Sequence, residues 1–129
     1  MIVVVTGSRD WTDREFIFDK LDELHGEDGQ IEAIVEGEAP GADLIAKQWG
    51  KMHGLPVLGI EAEWEYYGRG AGSLRNGWLV KYGHPDICLA FPLPQSRGTW
   101  NMVGQCQAAG VETVIHDISN VVQEVSPTA

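Results

Sequence analysis

Short apolar runs alternate with segments of helical periodicity along most of this chain. The runs cover residues 2–6, 31–36, 57–60, 87–91 and 113–116. They are mostly apolar throughout rather than alternating, which is typical of parallel strands covered on both faces. Helical patterns lie between them at about 13–25, 41–53, 72–83 and 99–109. This regular alternation predicts an α/β protein with a doubly wound, five-stranded parallel sheet and right-handed crossovers.

The start of the first predicted helix carries a detailed signal. Thr12 and Glu15 have the spacing of a capping box, and Trp11 and Phe16 have the spacing of the accompanying hydrophobic staple. We therefore expect Trp11 to anchor the helix rather than to contact a ligand. Because the box would occupy the first N–H groups and Glu15 would repel an anion, no phosphate is expected at this helix.

Three glycine-bearing loops each follow a predicted strand and lead into a helical pattern. In a parallel sheet such loops gather at the carboxyl ends of the strands, where these sheets bind ligands. Glycine lets backbone N–H groups approach an anion closely, and a helix start supplies unpaired N–H groups. The loops therefore predict a pocket for a phosphate-bearing small molecule. Its expected residues are Gly7, Ser8 and Arg9 in the first loop, Gly37, Glu38, Gly41, Ala42 and Asp43 in the second, and Arg97, Gly98 and Thr99 in the third.

The second and third loops open helices that lack a capping box. Gly98 and Thr99 form the expected phosphate site, because the positive end of a helix dipole would lie behind them. At the second loop the carboxylate of Asp43 would repel phosphate. Two interpretations of Asp43 stay open: it holds ribose hydroxyls, or it caps its own helix.

The segment between the third and fourth predicted strands combines aromatic residues with glycines. Residues 61–72 suit a mobile loop in which Trp64 stacks on a base, with Arg69 and Gly72 beside it. The alternative is that Trp64 is buried against the edge of the sheet.

The chain has 129 residues and a formal net charge of −10. Such a chain lacks the basic face of a duplex-binding protein, so nucleic acid and anionic membranes are poor partners. Four of the five arginines nevertheless lie in or beside the glycine loops: Arg9, Arg69, Arg75 and Arg97. Arg75 and its neighbour Asn76, near the start of a helix, are expected to read an anion and a base edge. An acidic body with arginines at one edge predicts a small anionic ligand.

The remaining features describe a single domain, expected over residues 1–118 and followed by a tail at 119–129. No apolar run approaches the length of a membrane span and no signal peptide is visible, so a cytoplasmic protein is expected. Cys88 and Cys106 lie in apolar surroundings and are expected to be buried free thiols. The four histidines lack the spacing of a metal site, so no metal is expected.

Four segments, in this order along the chain, resemble the SLOG superfamily. They read VVTGSRDW at 4–11, EGEAPGAD at 36–43, WEYYGRGAGSLRN at 64–76 and RGTWNMV at 97–103. They look most like the small stand-alone branch related to the YspA and YpsA proteins of bacteria and phages, and the resemblance covers nearly all of residues 1–116. It implies a Rossmann-like sheet of order 3-2-1-4-5 and a pocket for nucleotides or for ligands derived from NAD or ADP-ribose. It also implies a homodimer.

The phosphoribohydrolases of this superfamily cleave the base–ribose bond of a nucleoside monophosphate, and this chain departs from their signature. Their Pro-Gly-Gly-x-Gly-Thr-x-x-Glu loop is matched here at Gly98 and Thr99, and Arg75 is similar in placement to their catalytic arginine. The double glycine is replaced by Gln95 and Ser96, and the acidic residue is replaced by Met102. A thioether neither accepts a proton nor stabilises an oxocarbenium ion.

Two functions follow from these observations. The favoured one is a module that binds or senses a nucleotide-derived small molecule. The alternative is a hydrolase of a nucleotide N-glycosidic bond, with Arg75 in the catalytic site and Glu36, Glu38 or Asp43 in place of the missing acid. A DNA-processing factor is disfavoured by the negative charge, and a redox enzyme by the lack of a Gly-x-Gly-x-x-Gly loop after the first strand.

Overall fold

The computed structural model describes residues 1–117. Its strands are β1 (Ile2–Gly7), β2 (Ala33–Glu36), β3 (Val57–Gly59), β4 (Ile87–Phe91) and β5 (Glu112–Ile115). Its helices are α1 (Arg14–His25), α2 (Ala42–Met52), α3 (Trp64–Tyr67), α4 (Ala71–Gly83) and α5 (Arg97–Ala108), and a 3₁₀ turn at Gly68–Gly70 joins α3 to α4. The predicted tail at 119–129 lies outside the described residues, so the domain boundary at 118 stays a prediction.

All five strands are parallel and form one sheet in the order β3-β2-β1-β4-β5. The predicted Rossmann-like fold and strand order are confirmed. In the central strand Val4 lies between Val35 of β2 and Cys88 of β4. Because the strands run in one direction, the loops after β1, β2 and β4 meet at the same edge of the sheet.

Alternate residues of the central strands face two separate apolar cores. Val3 and Val5 of β1 pack towards α1 and α2, in a cluster that includes Leu21 and Trp49. Val4 faces the other side, where α4 and α5 contribute Leu79, Met102 and Cys106. Cys88 and Cys106 are both free and buried, as predicted. Within residues 1–117 there is no helix with the length and apolar character to span a bilayer.

The cap of α1 differs from the predicted one by a single residue. Asp13 is the N-cap, and its Oδ1 accepts the backbone N–H of Phe16 at 3.1 Å, so the predicted box of Thr12 and Glu15 is wrong. Asp is as good a cap as Thr, and the indole N–H of Trp11 donates to the carbonyl of Asp13 at 2.8 Å, which holds that residue in place. Trp11 is buried and its ring lies 5.6 Å from that of Phe16, so its anchoring role is confirmed.

The segment from 61 to 72 was expected to be a loop, and the structure instead contains α3 and the 3₁₀ turn there. Tyr67 of α3 packs edge-on against Trp78 of α4, with ring centroids 6.0 Å apart. This aromatic contact between two successive helices stabilises a helix of four residues that local propensity alone would not support.

Candidate functional site

A cleft of about 670 Å³ opens at the carboxyl edge of the sheet. Its walls come from the loops after β1, β2 and β4 and from the first residues of α3 and α4. The volume lies within the range of small-molecule sites, roughly 300–1,000 Å³. Most of the predicted ligand residues line it: Gly7, Ser8, Arg9, Gly37, Glu38, Asp43, Trp64, Gly72, Arg75, Asn76, Arg97, Gly98 and Thr99.

Gly41 and Ala42 do not line the cleft, because they pack the second loop against the first. Gly41 has a φ of +82°, and a side chain there would overlap the backbone of Ser8 and Arg9. The N–H of Ala42 donates to the carbonyl of Ser8 at 3.2 Å and is therefore unavailable to an anion. Arg69 is also absent from the lining; it lies exposed in the 3₁₀ turn. The glycine at position 41 is required by the protein backbone rather than by a ligand.

Arg75 connects two walls of the cleft. Its Nη1 donates to the carbonyl oxygen of Gly37, and its Nε donates to Oδ1 of Asn76 at 2.9 Å. A Cβ at Gly37 would overlap the guanidinium and the carboxylate of Asp43, so only glycine lets these charged groups approach the loop. Burial lowers the pKa of Arg75, and the neighbouring carboxylate of Asp43 opposes that shift.

Asp43 holds the second loop in its conformation. Its Oδ2 accepts the N–H of Gly37 at 3.1 Å, and the N–H of Ala39 also donates to it. The cap of α2 is Gly41, with no side-chain hydrogen bond, so Asp43 does not cap its own helix. Burial raises the pKa of Asp43 to about 7, against the opposing effect of Arg75 and the two backbone N–H groups.

Glu36 and Glu38 form an acidic pair beside the cleft. Glu36 is fully buried at the end of β2: Oε1 accepts the N–H of Glu38 at 2.7 Å, while Oε2 has no donor among the described residues from which to accept a hydrogen bond. Burial raises the pKa of Glu36 to about 8. The hydrogen bond from Glu36 and the ion pair with Lys47, at 2.8 Å, lower the pKa of Glu38. Glu38 lines the cleft, and the pair therefore holds one proton on Glu36 and one charge on Glu38.

The start of α5 forms the opposite wall and has no side-chain cap. Ser96 is the N-cap residue, but its hydroxyl accepts the N–H of Leu93 at 2.9 Å and not an N–H of the helix. Within residues 1–117 the N–H groups of Gly98 and Thr99 have no protein acceptor. A Cβ built at Gly98 would meet open space. These backbone donors are the best-placed N–H groups in the cleft for an anion.

Three of the five arginines line the cleft although the whole chain is acidic. Arg9, Arg75 and Arg97 reach it from three different loops or helices. Residues 66–111 contain four of the nine Lys and Arg but one of the 19 Asp and Glu, Asp86. Acidic side chains nevertheless line the other part of the cleft wall, namely Asp10, Glu38, Asp43 and Glu61. Trp64 also lines the cleft; it is 49% exposed and in contact with Gly72, which excludes its burial against the sheet edge.

With this geometry established, comparisons with known proteins identify the family. The family model described as "YspA, cpYpsA-related SLOG family" matches residues 1–67. The Gene 61 protein of Mycobacterium phage D29 is 42% identical over 118 residues, which cover 87% of this chain and 93% of that protein. The chain belongs to the YspA, cpYpsA-related SLOG family. No solved structure matches it.

This SLOG protein carries Met102 at the position of the phosphoribohydrolase acid, and that side chain is not in the cleft. Met102 is fully buried in the core between the sheet and α4, where it packs with Val4 and Leu79. It lies in the second turn of α5, on the face opposite to the solvent. The carboxylates that do line the cleft come from the second loop, from Asp10 and from Glu61.

Sequence reasoning missed several lining residues of this SLOG domain, which lie inside or next to the segments that it recognised. They are Thr6, Asp10, Ala39, Pro40, Leu44, Glu61, Ala62, Pro94, Gln95 and Ser96. Glu61 lies two residues after the end of β3, so the rule that loops after parallel strands meet at one edge was sufficient to find it. Among residues 1–117 there is no group of three or more His, Cys, Asp or Glu arranged to hold a metal ion.

Proposed function

We propose that this protein binds a nucleotide or a nucleotide-derived small molecule in the cleft, as a sensor or ligand-binding module. The observation that carries the proposal is the convergence of Arg9, Arg75 and Arg97, from three separate segments, beside the uncapped start of α5. Arginine forks and free helix N–H groups are the donors that recognise phosphate most strongly.

The lining offers a group for each part of such a ligand. A phosphate would meet the free backbone N–H groups of Gly98 and Thr99 at the start of α5. Trp64, 49% exposed, offers a flat apolar face for stacking of a base.

Native mass spectrometry of freshly purified protein tests the proposal, followed by thermal unfolding with AMP, ADP, ADP-ribose and NAD. We expect a co-purified nucleotide, or a rise in unfolding temperature that increases with ligand concentration. A protein that carries no bound nucleotide and is stabilised by none of the four compounds contradicts the proposal.

A second candidate is hydrolysis of a nucleotide N-glycosidic bond in the same cleft. Asp43 favours it, because a lining carboxyl with a pKa of about 7 exchanges protons readily at neutral pH. Glu38 is the other candidate carboxylate, and Arg75 would contact the phosphate. Chromatography of a nucleotide panel incubated with the protein decides between the two. Repeated turnover to free base supports the hydrolase, whereas intact nucleotides support the binding module.

A further inference from the structure

Asn76 joins both anion-binding elements of the cleft. Its side chain is buried in α4, with 4% of its surface exposed. Oδ1 accepts the Nε–H of Arg75 at 2.9 Å, and Nδ2 donates to the carbonyl of Gly98 at 3.3 Å and to Oδ1 of Asn101 at 3.0 Å. Both amide N–H groups and the acceptor oxygen are thus committed to the protein. A side chain bonded in this way is poorly suited to read the edge of a base, the role expected for it from the sequence.

The hydrogen bond that Arg75 donates to Asn76 limits the rotation of the guanidinium. Nε is held by Asn76 and Nη1 by the carbonyl of Gly37, while Nη2 has no acceptor among the described residues. Asp43 lies nearby as a competing partner, since its charge acts on Arg75 and both groups approach Gly37. Without the acceptor on Asn76, the guanidinium would be free to rotate towards that carboxylate.

We infer that Asn76 is a positioning residue: it sets the orientation of Arg75 and fixes it relative to the first turn of α5. Nη2 of Arg75 and the N–H groups of Gly98 and Thr99 then form one preorganised set of donors for a ligand phosphate. This inference rests on the proposed function. It also states that Asn76 acts through Arg75 and not by touching the ligand.

A double-mutant cycle tests the inference, because a residue that acts through Arg75 has no effect once Arg75 is gone. Affinities for AMP, ADP and ADP-ribose are measured by calorimetry for the parent, Asn76→Ala, Arg75→Ala and the double variant. We expect Asn76→Ala to weaken binding about tenfold in the parent and less than twofold in the Arg75→Ala background. Equal losses in the two backgrounds overturn the inference.

Two further variants separate positioning from a general effect on the fold. Asn76→Gln keeps an amide, with an acceptor for Nε of Arg75 and donors for α5, and is expected to bind more tightly than Asn76→Ala. Asn101→Ala removes a partner of Asn76 on α5 without touching Arg75 and is the matched control, with affinity close to that of the parent. If Asn76→Ala does not fold, Asn76→Ser, which cannot reach Nε, takes its place in both backgrounds.

The outcomes distinguish this inference from the proposal on which it rests. A parent protein that binds none of AMP, ADP, ADP-ribose and NAD overturns the proposed function and the inference together. A parent that binds, with Asn76→Ala and Asn76→Ser equal to it, overturns the inference alone. If Asn101→Ala loses as much affinity as Asn76→Ala, the effect comes from the contact between α4 and α5, and the inference is also overturned.

Discussion

The buried carboxyl of Glu36 accepts the backbone N–H of Glu38 through Oε1, at 2.7 Å, while Oε2 has no donor among the described residues. A charged carboxylate in this position would leave one oxygen both desolvated and unpaired, next to the charge of Glu38. The proton on Glu36 removes that cost, which is why its pKa is raised to about 8.

Glu36 should therefore make the stability of the protein depend on pH. In the unfolded chain its pKa returns to about 4.3, so between pH 4.5 and 8 the folded state binds a proton that the unfolded state has lost. The contribution of Glu36 to the free energy of unfolding is fully present below about pH 4.5 and is lost as the pH rises through 8. We expect urea denaturation from pH 5 to 8.5 to give a falling free energy of unfolding, and Glu36→Gln to flatten that slope. Glu65→Gln, on the exposed α3, is the control; an unchanged slope in Glu36→Gln contradicts the assignment.

Gly98 and Gly41 should respond in opposite ways to a larger side chain. At Gly98 there is open space in the cleft, so Gly98→Val should fold normally and bind AMP or ADP-ribose at least tenfold more weakly, about 1.4 kcal/mol. At Gly41 the positive φ and the backbone of the first loop oppose any side chain, so Gly41→Ala should destabilise the fold by at least about 2 kcal/mol. Circular dichroism melts and calorimetry separate the two effects. Normal affinity in Gly98→Val would show that the start of α5 is not part of the binding site.

Arg75 should contribute to ligand binding through the planar set of N–H donors of its guanidinium as well as through its charge. Arg75→Lys keeps the charge but loses the bonds to Gly37 and Asn76, so affinity for ADP-ribose should fall, and it should fall further in Arg75→Ala. A loss of one charged hydrogen bond corresponds to about 1.5–3 kcal/mol. The matched control is Arg69→Ala, which removes an exposed arginine outside the cleft. Equal thermal shifts for the parent and both Arg75 variants would exclude this residue from the site.

Met102→Glu should not restore a phosphoribohydrolase. The side chain is fully buried in the core, so a glutamate there would place a carboxyl among Val4, Leu79 and Cys106. We expect destabilisation by more than about 3 kcal/mol and no release of base from AMP. Trp100→Glu, at an exposed position of the same helix, should change stability by no more than about 1 kcal/mol. A stable Met102→Glu variant would mean that this side chain can reach solvent or the cleft.

The sequence predicted those residues of the site that lie in the segments after the strands, because the ends of the strands could be located from the sequence. Gly37, Gly98 and Arg97 were found because each lies in a loop or helix start that follows a strand, and parallel strands bring such segments together. The roles of Asp43 and Asn76 could not be found in that way. Each is decided by hydrogen bonds to groups between one and twenty-five positions away, and no local pattern encodes those partners.

The sequence by itself determined the strands, four of the five helices and, through the resemblance of its motifs, the strand order. These features depend on periodic burial and on connection rules that operate locally. Only the tertiary structure decided that Gly41 packs on the first loop, that Met102 lies in the core and that α3 forms at all. It also decided the charge of Glu36, since a carboxyl retains its proton at neutral pH only when packing from several segments excludes water from it.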